Sequence, residues 1–262
     1  GAFCLSEPGS GSDAAAMRAT ARRDGDHYVL NGTKMWITSG EYSGAFIVMA
    51  RTAGPEAGYK GISAFVVEPR FEGFSTGRPE EKCGLRGSNT VPVVLEDCIV
   101  PASNLIGKEG IGFRIAMTAL DGGRITIGAM ANGIARAALE VSARYVAERP
   151  RLAKSQAVQS KLADMASGLE AAKLLVCRAA TLKEAAAKGG RRFTREAAIA
   201  KIHATENVKD VTASAVELLG VDGCTSDYPV ERLMRDARVT SIFEGTSEIQ
   251  KLVIAREVYA SV

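Results

Sequence analysis

The periodicity of apolar residues changes once along this chain, at Pro101, and that change limits the folds open to it. Before Pro101, short apolar runs alternate with Gly, Pro, Asn and Asp. Ala19 to Arg23 and His27 to Leu30 flank Asp24-Gly25, a favoured two-residue hairpin turn. Asn31-Gly32 reads as a second turn ahead of Thr33 to Thr38. Phe46 to Ala50, Ile62 to Val67 and Val91 to Val100 are further strands, with Pro92 marking an edge or a bulge. The opening Gly-Ala-Phe-Cys-Leu reads as the middle of a strand, so an upstream segment is expected. Short strands at this spacing predict a small β-barrel or sandwich.

Pro101 to Gly107 reads as a linker, and a helical period replaces the strand period beyond it. Leu120, Arg124, Ile127, Ala131, Ile134, Ala138, Val141 and Tyr145 alternate by four and three. Val158, Leu162, Met165, Leu169, Ala172, Val176 and Ala179 repeat the pattern, and Thr194 to Leu219 shows a looser version. A fourth helix follows Thr246. Such seams pack helices about 20° from antiparallel. At 262 residues the chain has room for two domains. The expected class is therefore α+β: a β domain over residues 1–105, then an antiparallel four-helix bundle over residues 106–262.

Composition removes several function classes. A net charge of +3, with no basic cluster interleaved with aromatics, argues against a nucleic-acid partner. No apolar run approaches the roughly 18 residues of a membrane span, and nothing reads as a signal peptide. Five scattered cysteines fit neither a disulfide framework nor a zinc site, and point to a reducing compartment. With two histidines, a His-based metal site or triad is not expected.

The strongest candidate for chemistry is Ser241-Ile-Phe-Glu-Gly-Thr-Ser-Glu-Ile-Gln250. Glu244 follows an apolar pair, which partly desolvates its carboxyl and raises its pKa, making the carboxylate a stronger general base. Gly245 permits close approach to the backbone, and Thr246 or Ser247 can cap the helix that follows. Leu5-Ser-Glu-Pro-Gly-Ser-Gly-Ser-Asp13, with Ala14 after it, gives Gly-x-Gly-x-x-Ala, but Pro8 and the β-rich surroundings exclude a dinucleotide fold. Its backbone N–H groups, beside Ser10 and Ser12, suit an anion or a polar ring edge. Trp36-Ile37-Thr38 ends a strand, where an indole can face a planar ring.

Together these stretches resemble the acyl-CoA dehydrogenase family of flavoenzymes. The resemblance also runs through Asn31-Gly-Thr-Lys-Met-Trp-Ile-Thr38, Leu85-Arg-Gly-Ser88, Leu120-Asp-Gly-Gly-Arg124, Gln156 to Met165 and Tyr228-Pro-Val-Glu-Arg-Leu-Met-Arg-Asp236. It covers nearly the whole chain and implies a middle β domain and a C-terminal bundle, without the family's N-terminal helical domain. It further implies FAD as cofactor, an acyl-CoA substrate of short or medium length and an electron-transfer flavoprotein as acceptor. The implied assembly is a homotetramer, at least a homodimer, in a bacterial cytoplasm or a mitochondrial matrix.

By the same resemblance, Glu244 removes the α-proton of the thioester while its own backbone N–H helps to hold the thioester carbonyl. Losing one such oxyanion donor costs about 3–4 kcal/mol. Phe3, Leu5, Ser6, Gly11, Ser12, Trp36, Ile37 and Thr38 would hold the flavin ring, with Thr246, Ser247 and Glu248 meeting the rest of the cofactor. Ser12, Asp121, Gly122, Gly123, Arg124 and Gly245 would line the acyl-CoA site. Arg149, Gln156, Glu217, Gly220 and Val221 match positions that reach the flavin of a neighbouring subunit.

Three departures weaken the pattern. The Arg-x-x-Phe-Gly expected after the first bundle helix is replaced by Arg149-Pro-Arg-Leu-Ala-Lys154, a few residues short, which implies either an evolutionary deletion or, as the favoured reading, an interruption between Pro150 and Arg151. Glu217 stands where glutamine is usual, and its carboxylate would repel a pyrophosphate. Val221 stands where glycine is usual. The alternatives are an acyl-CoA oxidase or related flavoenzyme of the same fold, and a non-catalytic structural subunit that has lost FAD.

Overall fold

The computed structural model describes residues 1–260 and divides into two compact units. One comprises Gly1–Lys82 and Arg86–Ala119; the other comprises Cys83–Leu85 and the chain from Leu120 onwards.

The first unit is a mixed sheet of seven strands: β1 (Ala2–Cys4), β2 (Thr20–Asp24), β3 (His27–Thr38), β4 (Phe46–Arg51), β5 (Ile62–Val67), β6 (Phe74–Thr76) and β7 (Thr90–Pro101). Neighbours run β1-β4-β2-β3-β7-β6, with β5 antiparallel on β4. Tyr28, Leu30, Phe46, Val48, Phe65, Val93 and Val100 alternate inward to form its core. Tyr28 stands edge-on to Phe65 at 4.9 Å between centroids, and its hydroxyl donates to Glu109 at 2.5 Å.

Two expectations change here. Asp24 pairs with His27, so Gly25 and Asp26 form the hairpin loop in place of Asp24-Gly25. Asn31-Gly32 is not a turn, because β3 runs through it to Thr38. Its turn chemistry serves a bulge instead: Asn31 exchanges two hydrogen bonds with Asp97, which sits at φ 50° on β7. Gly32 is needed for room, since a Cβ there would lie 2.7 Å from that of Ala19.

A second bulge sets the position of Trp36. Lys34 pairs with Val93 and Ile37 with Val91, so Met35 and Trp36 together oppose Pro92. Proline has no N–H to give to the ladder, and β3 arches away from it. Trp36 adopts φ 63° there.

The second unit is helical: α1 (Gly112–Ala147, which enters from the first unit), α2 (Pro150–Ala153), α3 (Gln156–Ala187), α4 (Thr194–Leu219), α5 (Val230–Arg238) and α6 (Ser247–Tyr259). α4 is the central helix and packs against α3, α5 and α6. Its buried stripe is mostly small residues (Ala197, Ala200, Ala204, Ala215), and so are the facing positions Ala131, Ala135, Ala172 and Ala179. Small side chains let the helices approach closely. Lys201 lies on the same stripe, fully buried.

α5 was not expected from the sequence. It carries Val230, Leu233 and Ala237 on one buried edge and is otherwise charged except for the exposed Met234. Asp236 accepts from Leu85 N–H at 2.6 Å, and Arg235 donates to Cys83 O at 2.9 Å. These bonds explain why Cys83–Leu85 groups with the helices. The interruption expected at Pro150 is also absent. α2 carries the chain across as one turn, with Ala153 N–H donating to Arg149 O at 3.0 Å. Among the described residues no helix is long and apolar enough to cross a membrane.

Candidate active site

Glu244 lies between a short 3-10 turn (Val239–Ser241) and α6, at a sharp reversal of the chain. It adopts φ 54° and Gly245 φ 90°. A non-glycine residue in the left-handed region is uncommon, and such residues gather at functional sites. Thr246 then caps α6, its hydroxyl accepting from Ile249 N–H at 3.3 Å.

The reversal turns the Glu244 side chain onto α1. A Cβ placed on Gly123 would lie 2.5 Å from Glu244 Oε2, so the glycine provides the space that the carboxyl occupies. Oε2 is sealed from solvent and has no hydrogen-bond partner in the protein. Burial pushes the Glu244 carboxyl above the usual carboxylate range, and the charges of Arg124 and Lys201 oppose that rise without cancelling it. A buried carboxyl with an idle oxygen and a raised pKa is equipped to take a proton from a weak carbon acid.

The charged neighbours are themselves fixed. Arg124 is buried and donates to Asp121 Oδ1 at 2.6 Å, while Thr194 donates to Asp121 Oδ2 at 2.7 Å. Asp121 thus has both oxygens engaged inside the protein, one of them by Arg124. Arg124 Nε has no partner in the protein. Lys201 Nζ donates to Gly245 O at 2.8 Å. Gln250 Nε2 donates to the same carbonyl at 3.0 Å and to Glu244 O at 3.3 Å.

In the first unit, the loop from Leu5 to Asp13 is tied to β3. Lys34 Nζ binds Glu7 Oε1 at 2.8 Å and Leu5 O at 3.2 Å, with the ammonium fully buried. Burial alone would raise the Glu7 pKa, but Lys34 and the amide N–H groups of Arg18 and Ala19 outweigh it and keep Glu7 ionised. Met35 N–H donates to Ser6 O at 2.9 Å, which sets this loop beside the Trp36 bulge. Trp36 is 60% exposed, and Thr38, Gly11 and Ser12 are also exposed. An indole held out on a rigid bulge, beside exposed hydroxyls and loop N–H groups, fits a planar heteroaromatic ring.

Comparison with known proteins decides the family. Residues 2–98 match the acyl-CoA dehydrogenase middle domain, and residues 110–259 match the acyl-CoA dehydrogenase C-terminal domain. The chain belongs to the acyl-CoA dehydrogenase family. It is 49% identical over 263 residues to the short-chain specific acyl-CoA dehydrogenase of Clostridium acetobutylicum, across 99% of this chain and 68% of that protein. It is 50% identical over 264 residues to the acryloyl-CoA reductase (NADH) of Anaerotignum propionicum, across 98% of this chain and 66% of that protein. The structure of butyryl-CoA dehydrogenase from Megasphaera elsdenii matches with a TM-score of 0.95 at 43% identity, over 98% of this chain and 67% of that one. The chain therefore spans about two thirds of the length of these relatives.

The remaining positions of the acyl-CoA dehydrogenase pattern are placed as follows. Leu5 and Ile37 put their side chains into the β core, which leaves only their main chain for a ligand, and Phe3 and Ser6 are partly buried. Thr246, Ser247 and Glu248 border a surface hollow of about 320 Å³ that also holds Arg238, Lys251 and the ion pair of Lys209 with Glu206, a lining of both charges. Ser247 is buried and bonds to Glu206. Gln156 opens α3 and is exposed. Arg149 lies over the Tyr145 ring, 3.5 Å from its centroid, and Val221 is 80% exposed next to Gly220 at φ 61°. Glu217 is ion-paired with Lys161, so the repulsion expected from its charge is offset within the chain.

Sequence reading missed Lys34, Lys201 and Gln250 as parts of the site. For Lys201 a signal existed: it is a lysine on the apolar stripe between Ala197 and Ala204, a position that calls for a buried partner. Among the described residues no group of His, Cys, Asp or Glu is arranged to hold a metal ion.

Proposed function

We propose that this protein carries the catalytic base and flavin-holding parts of an FAD-dependent acyl-CoA dehydrogenase for short or medium acyl chains. The observation that carries the reading is the Glu244 carboxyl, with its unpartnered Oε2 sealed against Gly123 and two cations in electrostatic reach. Glu244 accepts the α-proton of the thioester, and its backbone N–H donates to the thioester carbonyl as enolate charge develops. FAD, when bound, supplies the acceptor for the β-hydride, so the products are the α,β-enoyl thioester and reduced flavin. Trp36, Thr38 and the loop from Phe3 to Ser12 would hold the flavin ring, and Thr246 to Glu248 the rest of the cofactor. Ser12, Gly122, Gly123, Arg124 and Gly245 would line the acyl-CoA site, with Asp121 acting through Arg124.

The division of labour follows residues 1–105 for the flavin ring and residues 106–262 for the base. Exposed Leu174 on α3 and Leu252 on α6 favour a homo-oligomer, for which we propose the tetramer, with Arg149, Gln156, Glu217, Gly220 and Val221 facing a neighbour's cofactor. Electrons would pass to an electron-transfer flavoprotein. The reductase relative favours a second reading, the same proton transfer run in reverse on an enoyl-CoA.

The test is anaerobic mixing of the FAD-supplied protein with a panel of acyl-CoAs, following flavin absorbance. Bleaching by butyryl-CoA, with no oxygen consumed in air without an acceptor, supports the dehydrogenase. Direct oxygen consumption would make it an oxidase. Failure to retain FAD would leave the structural subunit. Reoxidation of reduced flavin by an enoyl-CoA, with no bleaching by any acyl-CoA, would establish the reverse reaction.

A further inference from the structure

Lys201 and Gln250 are both fully buried, and both point at one carbonyl. That carbonyl belongs to Gly245, the residue after the base, and Glu244 and Gly245 both have positive φ. Left to itself, a glutamate at φ 54° would relax towards the right-handed or extended region. A single hydrogen bond leaves a peptide free to rock about its own axis. Two donors from different helices, α4 and α6, remove that freedom. Nothing in a purely structural role requires one of those donors to be an ammonium, since an amide or a hydroxyl would satisfy the carbonyl as well.

We propose that Lys201 is a positioning residue for the reaction: its buried ammonium clamps the Glu244-Gly245 reversal and sets a fixed positive charge beside the base. This deepens the reading of Glu244 as the base and rests on it. The charge favours the ionised carboxylate that must accept the α-proton, against the burial that favours the neutral acid. The groups facing Lys201 are Glu206 on its own helix, Glu244, Glu248 on α6 and Arg124 on α1. Those facing Glu244 are Arg124 and Lys201. Burial holds the Lys201 ammonium down to about 8, with the three carboxylates opposing that fall, so it remains charged through neutral pH.

The experiment compares Lys201→Met, which removes charge and hydrogen bond, with Lys201→Gln, which removes the charge but keeps a donor. The readout is the pH profile of anaerobic flavin reduction by butyryl-CoA in the FAD-loaded protein. Both variants should move the acid limb of the profile up by about one pH unit, an approximately tenfold loss of rate on that limb. Lys201→Met alone should also lower the plateau rate, because only that variant frees the reversal. Acid limbs that overlay the wild type in both variants would overturn the proposal. If Lys201→Met does not fold, the limb of Lys201→Gln decides. Glu244→Gln, run alongside, separates the two failures. A variant at that position that still bleaches flavin at the wild-type rate removes the base itself, whereas an inactive one beside unmoved Lys201 profiles removes only the role given to Lys201.

Discussion

Gly123→Ala should give a protein that folds as well as the wild type and barely reacts. The added methyl carbon would sit 2.5 Å from Glu244 Oε2, 2.9 Å from its Cδ and 3.3 Å from Oε1. An ordinary contact needs about 3.5 Å, so the carboxyl must retreat by about 1 Å. The retreat is easy for the fold, because the atoms struck are the far end of a flexible side chain. Gly123 lies inside α1, where alanine is favoured over glycine by about 0.8–1 kcal/mol. The base, however, loses its place: a misplacement of about 1 Å is worth roughly 100-fold in rate, or about 2.7 kcal/mol of barrier. Stopped-flow bleaching of the flavin by butyryl-CoA gives the rate, and a thermal midpoint in the same buffer gives the stability. A rate within threefold of wild type would refute the reasoning, since the methyl would then coexist with a productive base. A rate loss matched by a large fall in the midpoint would refute it differently, by showing that the packing failed and the base was not singled out.

Other outcomes follow from the same geometry. Trp36→Ala should leave stability within about 1 kcal/mol, because the indole is mostly in solvent. It should weaken FAD retention measurably in equilibrium dialysis; unchanged retention would remove Trp36 from the flavin site. Lys34→Met strands ionised Glu7 in the core and should cost about 3–5 kcal/mol in urea unfolding; a cost under about 1 kcal/mol would show that the pair is not holding the loop. Lys201 makes stability depend on alkaline pH with an unusual sign. Its folded pKa of about 8 lies below the ordinary 10.5, so between those values the unfolded chain carries a proton that the folded chain has released. Relative to Lys201→Met, wild-type stability should therefore rise from pH 8 to 10, by at most about 3 kcal/mol. A pH-independent difference between the two proteins would contradict the burial of that ammonium.

Much of the architecture was legible because its signals are local. Ile62 to Val67 is an apolar run broken only by Ser63, with Gly61 before it and Glu68-Pro69 after it, and it is β5 at both ends. Thr194 to Leu219 ends on Gly220, whose positive φ stops α4. Pro92 correctly marked a bulge, because a missing N–H is a property of one residue. The misreadings arose where a local signal was used non-locally. Asn31-Gly32 has turn chemistry, but its partner is Asp97 on another strand, so a 12-residue strand looked like two pieces. α5 buries only three of its nine residues and is held by Cys83 and Leu85 from far upstream. The site divides the same way. Glu244 stood out through its own flanks, whereas Lys201 acts on a carbonyl 44 residues away that no spacing rule connects to it.

The central claim is that one carboxylate, Glu244, takes the proton. Replacing it with glutamine keeps the volume at the Gly123 contact and removes the base. Anaerobic addition of butyryl-CoA to the FAD-loaded Glu244→Gln protein should leave the flavin oxidised over times in which the wild type bleaches completely. Bleaching at the wild-type rate would contradict the account.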